Sequence, residues 1–351
     1  MMKKNYNIIG VMSGTSLDGL DLAYLNFSLN GEWTYKIIKA ETVSYSVDWL
    51  ENLTNLINFS PEKLAVLDKE YTVYLSEIIL KFILKHQLKN IDAVCSHGHT
   101  ALHKPQNGVT YQIGNLPELA TLLKKTVVCN FRVQDVKFGG QGAPLVPIGD
   151  LLLFNNFNAC INLGGFSNIS KTVNNQRIAF DICPVNIILN HYVSRIGLKY
   201  DNKGAIALKG SINQSLLLEL NQLEFYLKPH PKSLGFEWVK EIIFPIIDSY
   251  CLKLEDILCT VVEHIAYQIS LQIKSLTTVL FTGGGVYNSF LMARIKHFTT
   301  AEIIIPDNKL IEFKEALIFG FLGVLKLRNE NNCLASVTGA VKNHSSGNIF
   351  Y

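Results

Sequence analysis

The hydrophobic positions at the start of the chain form two short apolar runs that flank a polar turn. Residues 8–12 are apolar and partly β-branched, which predicts a buried strand, and the alternation that begins at Leu20 predicts a returning strand. The turn between them, residues 13–19, reads Ser-Gly-Thr-Ser-Leu-Asp-Gly. Because Gly14 and Gly19 can adopt positive φ and let a ligand approach the backbone, we expect the tip of a hairpin here.

The same kind of pattern continues through the first half of the chain as a third strand, helices and short strands. The helix that begins at Pro61 has a specific start signal, because Ser60 can cap it and proline suits its first turn. The predicted strands are 34–43, 91–96, 111–113 and 126–131, and the predicted helices are 50–59, 61–89 and 116–124.

The second half of the chain begins the same order of elements again. A predicted strand at 159–163 runs into a glycine turn at Gly164, and a second strand follows. A third strand at 177–180 delivers Asp181 at its end, before a helix that continues to Arg195. This order predicts an internal duplication in topology. The later predicted elements are strands at 278–281 and 302–306 and helices at 288–298 and 313–327.

Length and composition favour a two-domain protein with large cores. The chain has 351 residues, of which 48% are hydrophobic. Residues 138–147 contain three glycines and two prolines, a composition typical of a domain boundary or a hinge. We therefore predict a first domain of residues 1–137 plus 338–351 and a second domain of residues 138–337.

Charge and cysteine content exclude several classes of protein. A net charge of +3 with 17% charged residues argues against nucleic acid as a partner. The seven cysteines form no C-x-x-C pair, which favours reduced thiols over a disulfide framework or a zinc site. The first apolar stretch is too short for a signal peptide, and residues 316–327 are too few to span a bilayer. We expect a soluble cytoplasmic protein with no membrane partner.

The turn at residues 13–19 has the composition of a phosphate site. Successive backbone N–H groups in such a turn can form an anion-binding nest, and its serines and threonine offer hydroxyls. Asp18 and Asp21 would repel a bare phosphate, so we expect them to hold a hydrated Mg²⁺ or a substrate hydroxyl. The alternative is a hairpin whose side chains only cap its own backbone. The turn lacks the ending of a Walker loop.

Candidate chemistry also follows other predicted strands. The three histidines within 96–105 lack the spacing of a metal motif, which favours ligand contacts or bonds to backbone carbonyls. Arg132 is either a surface residue or a clamp for anions and hydroxyls. Residues 283–285 are three glycines against which a flat ligand can lie. Asp181 can accept a proton, cap the next helix, or do both. Phosphoryl transfer requires backbone amides that hold the phosphates, a cation that offsets their charge and an acceptor aligned with the γ-phosphorus. The residues named here are candidates for these roles.

The motifs of this chain resemble those of a known family. The stretch Gly10–Asp21 is similar to the signature of anhydro-N-acetylmuramic acid kinases. That resemblance implies an α/β fold with two ribonuclease-H-like (actin-like ATPase) domains around a central cleft. Further blocks match in the same order over nearly the whole chain: Ser96–Pro105, Asn130–Arg132, Gly139–Pro147, Asn162–Gly165, Gly283–Asn288, Glu315–Ala316 and Val337–Ala340.

The resemblance also implies a reaction. Enzymes of this family open the 1,6-anhydro ring of anhydro-N-acetylmuramic acid with water and phosphorylate O6 from ATP, with Mg²⁺, in cell-wall recycling. By position, Asp181 matches the base that activates the water. His97, Arg132, Asn186 and Glu315 match residues that contact the sugar, and the family habit is a homodimer.

The resemblance implies that residues 14–21 form the ATP-binding loop. The glycine turns at 164–165 and 283–285 complete the predicted nucleotide site, and Asp18 is the predicted Mg²⁺ ligand, either directly or through water. The residues concerned are Gly14, Thr15, Ser16, Leu17, Asp18, Gly19, Leu20, Asp21, Gly164, Gly165, Gly283, Gly284, Gly285 and Asn288.

The chain departs from the family pattern in a few places. After the base, the usual Thr-Gly-Pro-Gly-Asn is replaced by residues 182–186, which read Ile-Cys-Pro-Val-Asn. The usual aspartate before Phe131 is Asn130, and Phe236 stands in place of an arginine. Two alternatives therefore stay open. One is a kinase for another anhydrosugar such as levoglucosan, and the other is a non-catalytic actin- or chaperone-like nucleotide-binding protein.

Overall fold

The computed structural model describes residues 3–351 and divides into two compact units. Unit 1 contains the described residues up to Leu153 together with Phe313–Tyr351, and unit 2 contains Phe154–Glu312. The chain therefore changes unit at 153/154 and at 312/313. The predicted boundaries at 137/138 and 337/338 are displaced, so the glycine- and proline-rich stretch at 138–147 lies inside unit 1.

Twelve named strands form two sheets among the described residues, one in each unit. Their bounds are β1 Asn5–Ser13, β2 Leu20–Asn30, β3 Glu32–Val43, β4 Ala93–Lys104, β5 Val109–Ile113, β6 Val127–Cys129, β7 Ala159–Leu163, β8 Phe166–Val173, β9 Gln176–Pro184, β10 Thr278–Thr282, β11 Glu302–Ile304 and β12 Asn348–Phe350.

The α-helices vary from single turns to 25 residues. Their bounds are α1 Val47–Thr54, α2 Pro61–Lys85, α3 Glu118–Leu123, α4 Val133–Lys137, α5 Val146–Leu153, α6 Asn186–Ser194, α7 Gln214–Asn221, α8 Glu224–Leu227, α9 Phe236–Trp238, α10 Phe244–Ser249, α11 Leu254–Ile273, α12 Ser289–Phe298, α13 Asn308–Leu327 and α14 Ala335–Thr338. The predicted cap of α2 is confirmed, because the Ser60 hydroxyl accepts a hydrogen bond from the Lys63 amide at 3.3 Å.

The two sheets share one topology. In unit 1, β1, β2 and β3 form an antiparallel meander, and β4 and then β6 continue the sheet in parallel from β1. In unit 2, β7, β8 and β9 form the meander, and β10 and β11 continue it in parallel from β7. The order β3-β2-β1-β4-β6 of unit 1 thus corresponds to β9-β8-β7-β10-β11 of unit 2, and unit 1 adds β5 beside β4 and β12 antiparallel beside β6. The duplication predicted from the order of elements is therefore present in the strand pairing.

Helix α13 explains why the C-terminal part of the chain joins unit 1. A Cβ on Gly10 of β1 would overlap the Ala316 carbonyl, and one on Gly323 of α13 would overlap the Cys95 sulfur of β4. Such close approach between a helix and a sheet requires glycine on one side. The helix has non-helical dihedral angles at Phe313, where the chain enters unit 1.

Replacing Gly10 with alanine is expected to destabilise unit 1. The added methyl group would meet a backbone carbonyl, which cannot move away as a flexible side chain could. Overpacking of this kind costs about 1–3 kcal/mol. We expect a lower urea midpoint, followed by circular dichroism. Gly284→Ala is the matched control, because a Cβ there would meet no atom within 4 Å. Equal midpoints for both variants would contradict the close packing of α13 on β1.

One predicted helix start is wrong. Strand β9 continues through Asp181 to Pro184, and α6 begins only at Asn186. The chain stays extended because residues 180–184 pair with β8 around a β-bulge. Asp181 is therefore a strand residue and not the cap of a helix. Among residues 3–351, no helix combines the length and apolar character needed to cross a bilayer.

Candidate active site

The turn between β1 and β2 forms the hairpin tip that the sequence predicts. The amide of Leu17 donates to the Gly14 carbonyl at 3.2 Å, and Leu17 itself has a φ of 62°. Thr15, Ser16 and Asp18 are exposed. This turn therefore presents hydroxyls and a carboxylate to solvent, on a backbone that bends tightly.

Three other residues form the base of this hairpin and are not presented at its tip. Leu20 is fully buried in the core of unit 1, so its side chain is not free to contact a ligand. The Asp21 carboxylate accepts a hydrogen bond from the Thr42 hydroxyl at 2.6 Å. Gly19 has a φ of 150°, and a Cβ there would lie 2.7 Å from the Thr42 side chain. These residues hold the base of the hairpin against β3.

A buried hydroxyl cluster anchors the beginning of the turn. The Ser13 hydroxyl lies 2.6 Å from the Tyr45 hydroxyl, 3.0 Å from the Tyr71 hydroxyl and 2.7 Å from Nδ1 of His99. Sequence reasoning assigned the hydroxyls of the turn to a ligand, but that of Ser13 is committed to this interior cluster. Nothing in the local pattern linked residues so far apart in the chain.

The first glycine turn of unit 2 is tied to the start of α6. The carbonyl of Gly165 accepts from the amides of Val185 at 2.7 Å and Ile187 at 3.3 Å, and the Gly164 carbonyl accepts from Asn186 at 3.3 Å. The Asn186 side chain also reaches the Leu163 carbonyl at 3.5 Å. The amides at the start of α6 are thus already paired, and the Gly164 and Gly165 turn remains partly exposed.

The three consecutive glycines after β10 have different surroundings. A Cβ on Gly283 would lie 2.8 Å from the Leu163 carbonyl, and one on Gly285 would lie 2.7 Å from the Leu163 Cβ. Gly284 is exposed, with open space where a Cβ would stand. Asn288 is buried and caps α12, because its Oδ1 accepts from the Leu291 amide at 3.0 Å. Close packing therefore accounts for two of the glycines and leaves the third open to a ligand.

The histidine segment is strand and not loop. Strand β4 continues through the histidines to Lys104, because β5 pairs with it from His99 onward. Nδ1 of His97 donates to the Gly98 carbonyl at 2.8 Å, so Nε2 is free to accept from Nε of Arg132 at 2.8 Å. Burial, with the Arg132 charge, holds the pKa of His97 well below its usual value. His97 is therefore a neutral acceptor that orients the arginine.

Arg132 lies at the start of α4 with its guanidinium fixed on two sides. Besides the bond to His97, its Nη1 donates to the Gly142 carbonyl at 2.7 Å. The ring of Phe319 lies 5.8 Å from the guanidinium carbon and 4.6 Å from the His97 ring. The remaining N–H groups of a guanidinium form a planar fork suited to carboxylates and hydroxyls.

Glu315 lies near His97 and Arg132 because of its position on α13. Residues i and i+4 share one face of a helix, so Glu315 lies on the same face of α13 as Phe319. Desolvation raises the pKa of Glu315, while the charges of Arg132 and Lys314 oppose the rise. Glu315 is nevertheless exposed to solvent. His97, Arg132 and Glu315, predicted separately, thus form one cluster in unit 1.

Asp181 is held by a loop that the sequence did not connect to it. Its Oδ2 accepts from the Leu234 amide at 2.8 Å, and its own amide donates to the Lys232 carbonyl at 3.0 Å. His230 of the same loop stacks on Phe180 with ring centroids 5.5 Å apart. The loop covers the outer edge of β9, which is the last strand of its sheet.

The environment of Asp181 suits a proton acceptor. Burial raises the pKa of its carboxyl above the ordinary value of 3.8, and the Leu234 amide opposes the rise. The carboxylate is half-buried, and the hydrogen bond that orients it uses Oδ2 and not Oδ1.

A pocket of about 540 Å³ lies on the same loop, but Asp181 does not line it. Its lining includes Leu223, Phe225, Pro231, Leu234 and Trp238.

Buried neutral histidines predict a pH-dependent stability. Burial lowers the pKa of His99 to about 4 and of His264 to about 3. Each gains a proton on unfolding below pH 6.5, so their stabilisation is complete above that value and is lost as the pH falls toward the folded pKa. The expected loss is about 1.4 kcal/mol per pH unit for each histidine. Urea midpoints at pH 7, 6 and 5 measure it.

His264→Gln is expected to make the pH dependence shallower, because one proton uptake is removed. The exposed His297→Gln on α12 is the control and should leave the dependence unchanged. If both variants follow the wild-type curve, His264 does not stay neutral in the folded protein.

The shared strand order and the glycine turn after the first strand of each unit define a protein of the actin-like ATPase class, which includes sugar kinases. The family profile described as anhydro-N-acetylmuramic acid kinase matches residues 6–351. The chain therefore belongs to the anhydro-N-acetylmuramic acid kinase family, and such a protein is a phosphotransferase with an alcohol group as acceptor.

Two relatives agree with this assignment in sequence. The anhydro-N-acetylmuramic acid kinase of Haemophilus influenzae is 33% identical over an alignment that covers 99% of this chain and 98% of the relative. That of Pasteurella multocida is 33% identical, with 97% and 96% covered. Among solved structures, the activator of the 2-hydroxyisocaproyl-CoA dehydratase from Clostridium difficile with bound ADPNP has a TM-score of 0.44 at 16% identity, with 93% of this chain and 97% of that chain covered.

Proposed function

We propose that this protein opens the 1,6-anhydro ring of anhydro-N-acetylmuramic acid with water and transfers the γ-phosphoryl group of ATP to O6. The product is N-acetylmuramic acid 6-phosphate, an intermediate in the recycling of peptidoglycan. The observation that carries the proposal is the family match over residues 6–351, in a chain that keeps the carboxylate at Asp181 and the clustered Arg132 and Glu315.

Asp181 is the proposed general base. Its carboxylate accepts a proton from water while the water oxygen forms a bond to C1 and the C1–O6 bond breaks. Positive charge develops at C1, as in other glycosidic cleavages. The electron pair of the broken bond stays on O6, which then attacks the γ-phosphorus and releases ADP. The amide of Leu234 orients the carboxylate for this step.

His97, Arg132 and Glu315 of unit 1 are the proposed sugar-binding group. The planar fork of Arg132 offers donors to sugar oxygens, and the carboxylate of Glu315 offers acceptors for hydroxyl and amide N–H groups. Neutral His97 maintains the orientation of the guanidinium through its 2.8 Å bond. Asn186, tied to the Leu163 carbonyl, is a further proposed contact in unit 2.

The proposed nucleotide contacts are the exposed and partly exposed positions of the glycine turns. They are Gly14–Asp18 in unit 1 and Gly164, Gly165 and Gly284 in unit 2, with backbone contacts from Gly19–Asp21, Gly283, Gly285 and Asn288. Mg²⁺ would offset the phosphate charges. The exposed Asp18 carboxylate fits an outer ligand of a hydrated ion, because it stands beside the hydroxyls of the same turn.

The departure from the family pattern after the base lies mainly in the core. The side chains of Ile182, Cys183 and Val185 are buried in the hydrophobic core of unit 2. Their replacement of smaller residues therefore changes internal packing and leaves Asp181 and Asn186 as the polar groups of this segment.

A direct assay tests the proposal. Purified protein, Mg-ATP and anhydro-N-acetylmuramic acid are mixed in oxygen-18 water, and the products are analysed by mass spectrometry. We expect a phosphosugar that carries the label at C1 and an unlabelled phosphoryl group. Levoglucosan, which lacks the acetamido and lactyl groups, is the control sugar and should react poorly. A product formed only from levoglucosan, or ATP hydrolysis that no sugar affects, would overturn the assignment.

Two further properties are proposed from the family resemblance alone. They are a homodimeric assembly, which light scattering after size-exclusion chromatography measures, and a cytoplasmic location, which cell fractionation measures.

A further inference from the structure

Three potential metal ligands meet in the interior of unit 1, on elements far apart in the chain. Asp135 of α4, Cys333 and His344 are all buried, and one ligand atom from each lies within 4.8 Å of the other two. Cys333 and His344 face each other across an antiparallel β-bridge near the C-terminal end. Buried polar groups normally have a partner, so this cluster requires an explanation.

The hydrogen bonds of His344 leave one nitrogen directed at a carboxylate. Nδ1 donates to the Lys342 carbonyl at 3.0 Å, which places the proton of a neutral ring on that atom. Nε2 has no hydrogen-bond partner among the described residues and lies 3.5 Å from Oδ1 of Asp135. A lone pair that faces a carboxylate in the protein interior is repulsive unless a positive group lies between them.

The spacing favours a metal ion over a proton as that group. A charge-assisted N–H···O bond is about 2.7–2.9 Å long, so 3.5 Å is too long for an imidazolium bonded to Asp135. Two ligands of a tetrahedral ion, each about 2.0–2.1 Å from it, stand roughly 3.3 Å apart. The Nε2–Oδ1 distance is therefore close to that of two ligands that share one ion.

The groups around the cluster match the outer shell of a metal site. The His344 Nδ1–H bond to a carbonyl is the orientation typical of metal-bound histidine. Asp135 is held by the Thr338 hydroxyl on Oδ1 and the Gly142 amide on Oδ2, both at 2.7 Å. The Phe138 ring lies edge-on to His344 at 4.9 Å and shields it. The ligands and their supports are thus already oriented.

We propose that Asp135, Cys333 and His344 bind a Zn²⁺ ion that fastens the C-terminal segment to α4. A thiolate, an imidazole and a carboxylate together favour zinc over Mg²⁺ or Ca²⁺, which prefer oxygen ligands. The ion is structural, and its site adjoins the sugar-binding group, because Gly142 donates its amide to Asp135 and accepts from Arg132 with its carbonyl. The absence of a C-x-x-C pair argued against zinc, but ligands brought together by tertiary structure leave no such spacing in the sequence.

Cobalt substitution tests the site in the wild-type protein without any variant. The full chain is stripped with a chelator under reducing conditions and titrated with Co²⁺. We expect thiolate-to-cobalt charge-transfer absorption that saturates at one equivalent and disappears when Zn²⁺ is added. A titration without this absorption would overturn the proposal and assign the cluster to a metal-free ion pair.

Zinc content of variants identifies the ligands. Cys333→Ser and His344→Gln should each lose the zinc that elemental analysis finds in the wild type, and should lose the rise in melting temperature that added Zn²⁺ produces. The control is Cys251→Ser with His297→Gln, two exposed positions in unit 2. Zinc retained by both ligand variants, or lost equally by the control, would count against the site.

Discussion

Replacing Asp181 with asparagine is expected to abolish phosphosugar formation and to leave ATP binding intact. Asparagine keeps a carbonyl oxygen that can accept from the Leu234 amide, so the loop stays in place. The amide group has no capacity to take the proton from water, which removes general-base catalysis. Losses of this kind are about 10²–10⁴-fold in rate. Product formation is followed by mass spectrometry, and ATP affinity by calorimetry.

Asp248→Asn is the matched control for this substitution. Asp248 is an exposed aspartate of the same unit that pairs with Arg195 at 3.0 Å, outside the candidate site. The control should keep wild-type turnover. A turnover of Asp181→Asn close to wild type would show that another group activates the water.

Replacing Arg132 with lysine is expected to weaken use of the sugar without changing ATP affinity. Lysine keeps the positive charge but loses both the Nε donor to His97 and the planar fork. A hydrogen bond that involves a charged group contributes about 1.5–3 kcal/mol, which corresponds to roughly a 10–150-fold loss in kcat/KM. Steady-state kinetics with varied sugar at saturating ATP measures the change.

Arg195→Lys serves as the control, because Arg195 is an exposed arginine paired with Asp248. It should leave kcat/KM for the sugar unchanged. If Arg132→Lys changes the affinity for ATP and spares the sugar parameters, the cluster of His97, Arg132 and Glu315 belongs to the nucleotide.

The features predicted correctly depend on contacts between residues close in the chain. The hairpin at 13–19 follows from glycines between two apolar runs, and the start of α2 follows from Ser60 and Pro61. The repeated order of strands indicated the duplication because each half forms its own meander. Such signals are readable because one side chain or one periodicity decides them.

The features that the sequence did not predict depend on contacts between residues far apart in the chain. Strand β9 continues past Asp181 because β8 pairs with it, whatever the helix-start signals at Pro184 suggest. The observed unit boundary at 312/313 differs from the predicted one at 337/338 because α13 packs on β1 and β4. The loop that orients Asp181 lies about fifty residues further on and carries no pattern that points back to β9.

The sequence by itself determined the kinds of element, the duplication, the glycine turns and the residue types able to perform phosphoryl transfer, since these depend on local propensity and short-range order. Only the tertiary structure decided that His97, Arg132 and Glu315 are neighbours, that the Ser13 hydroxyl points inward, and that Asp135, Cys333 and His344 meet. Those outcomes depend on how separate elements pack, and packing brings together residues that no spacing along the chain relates.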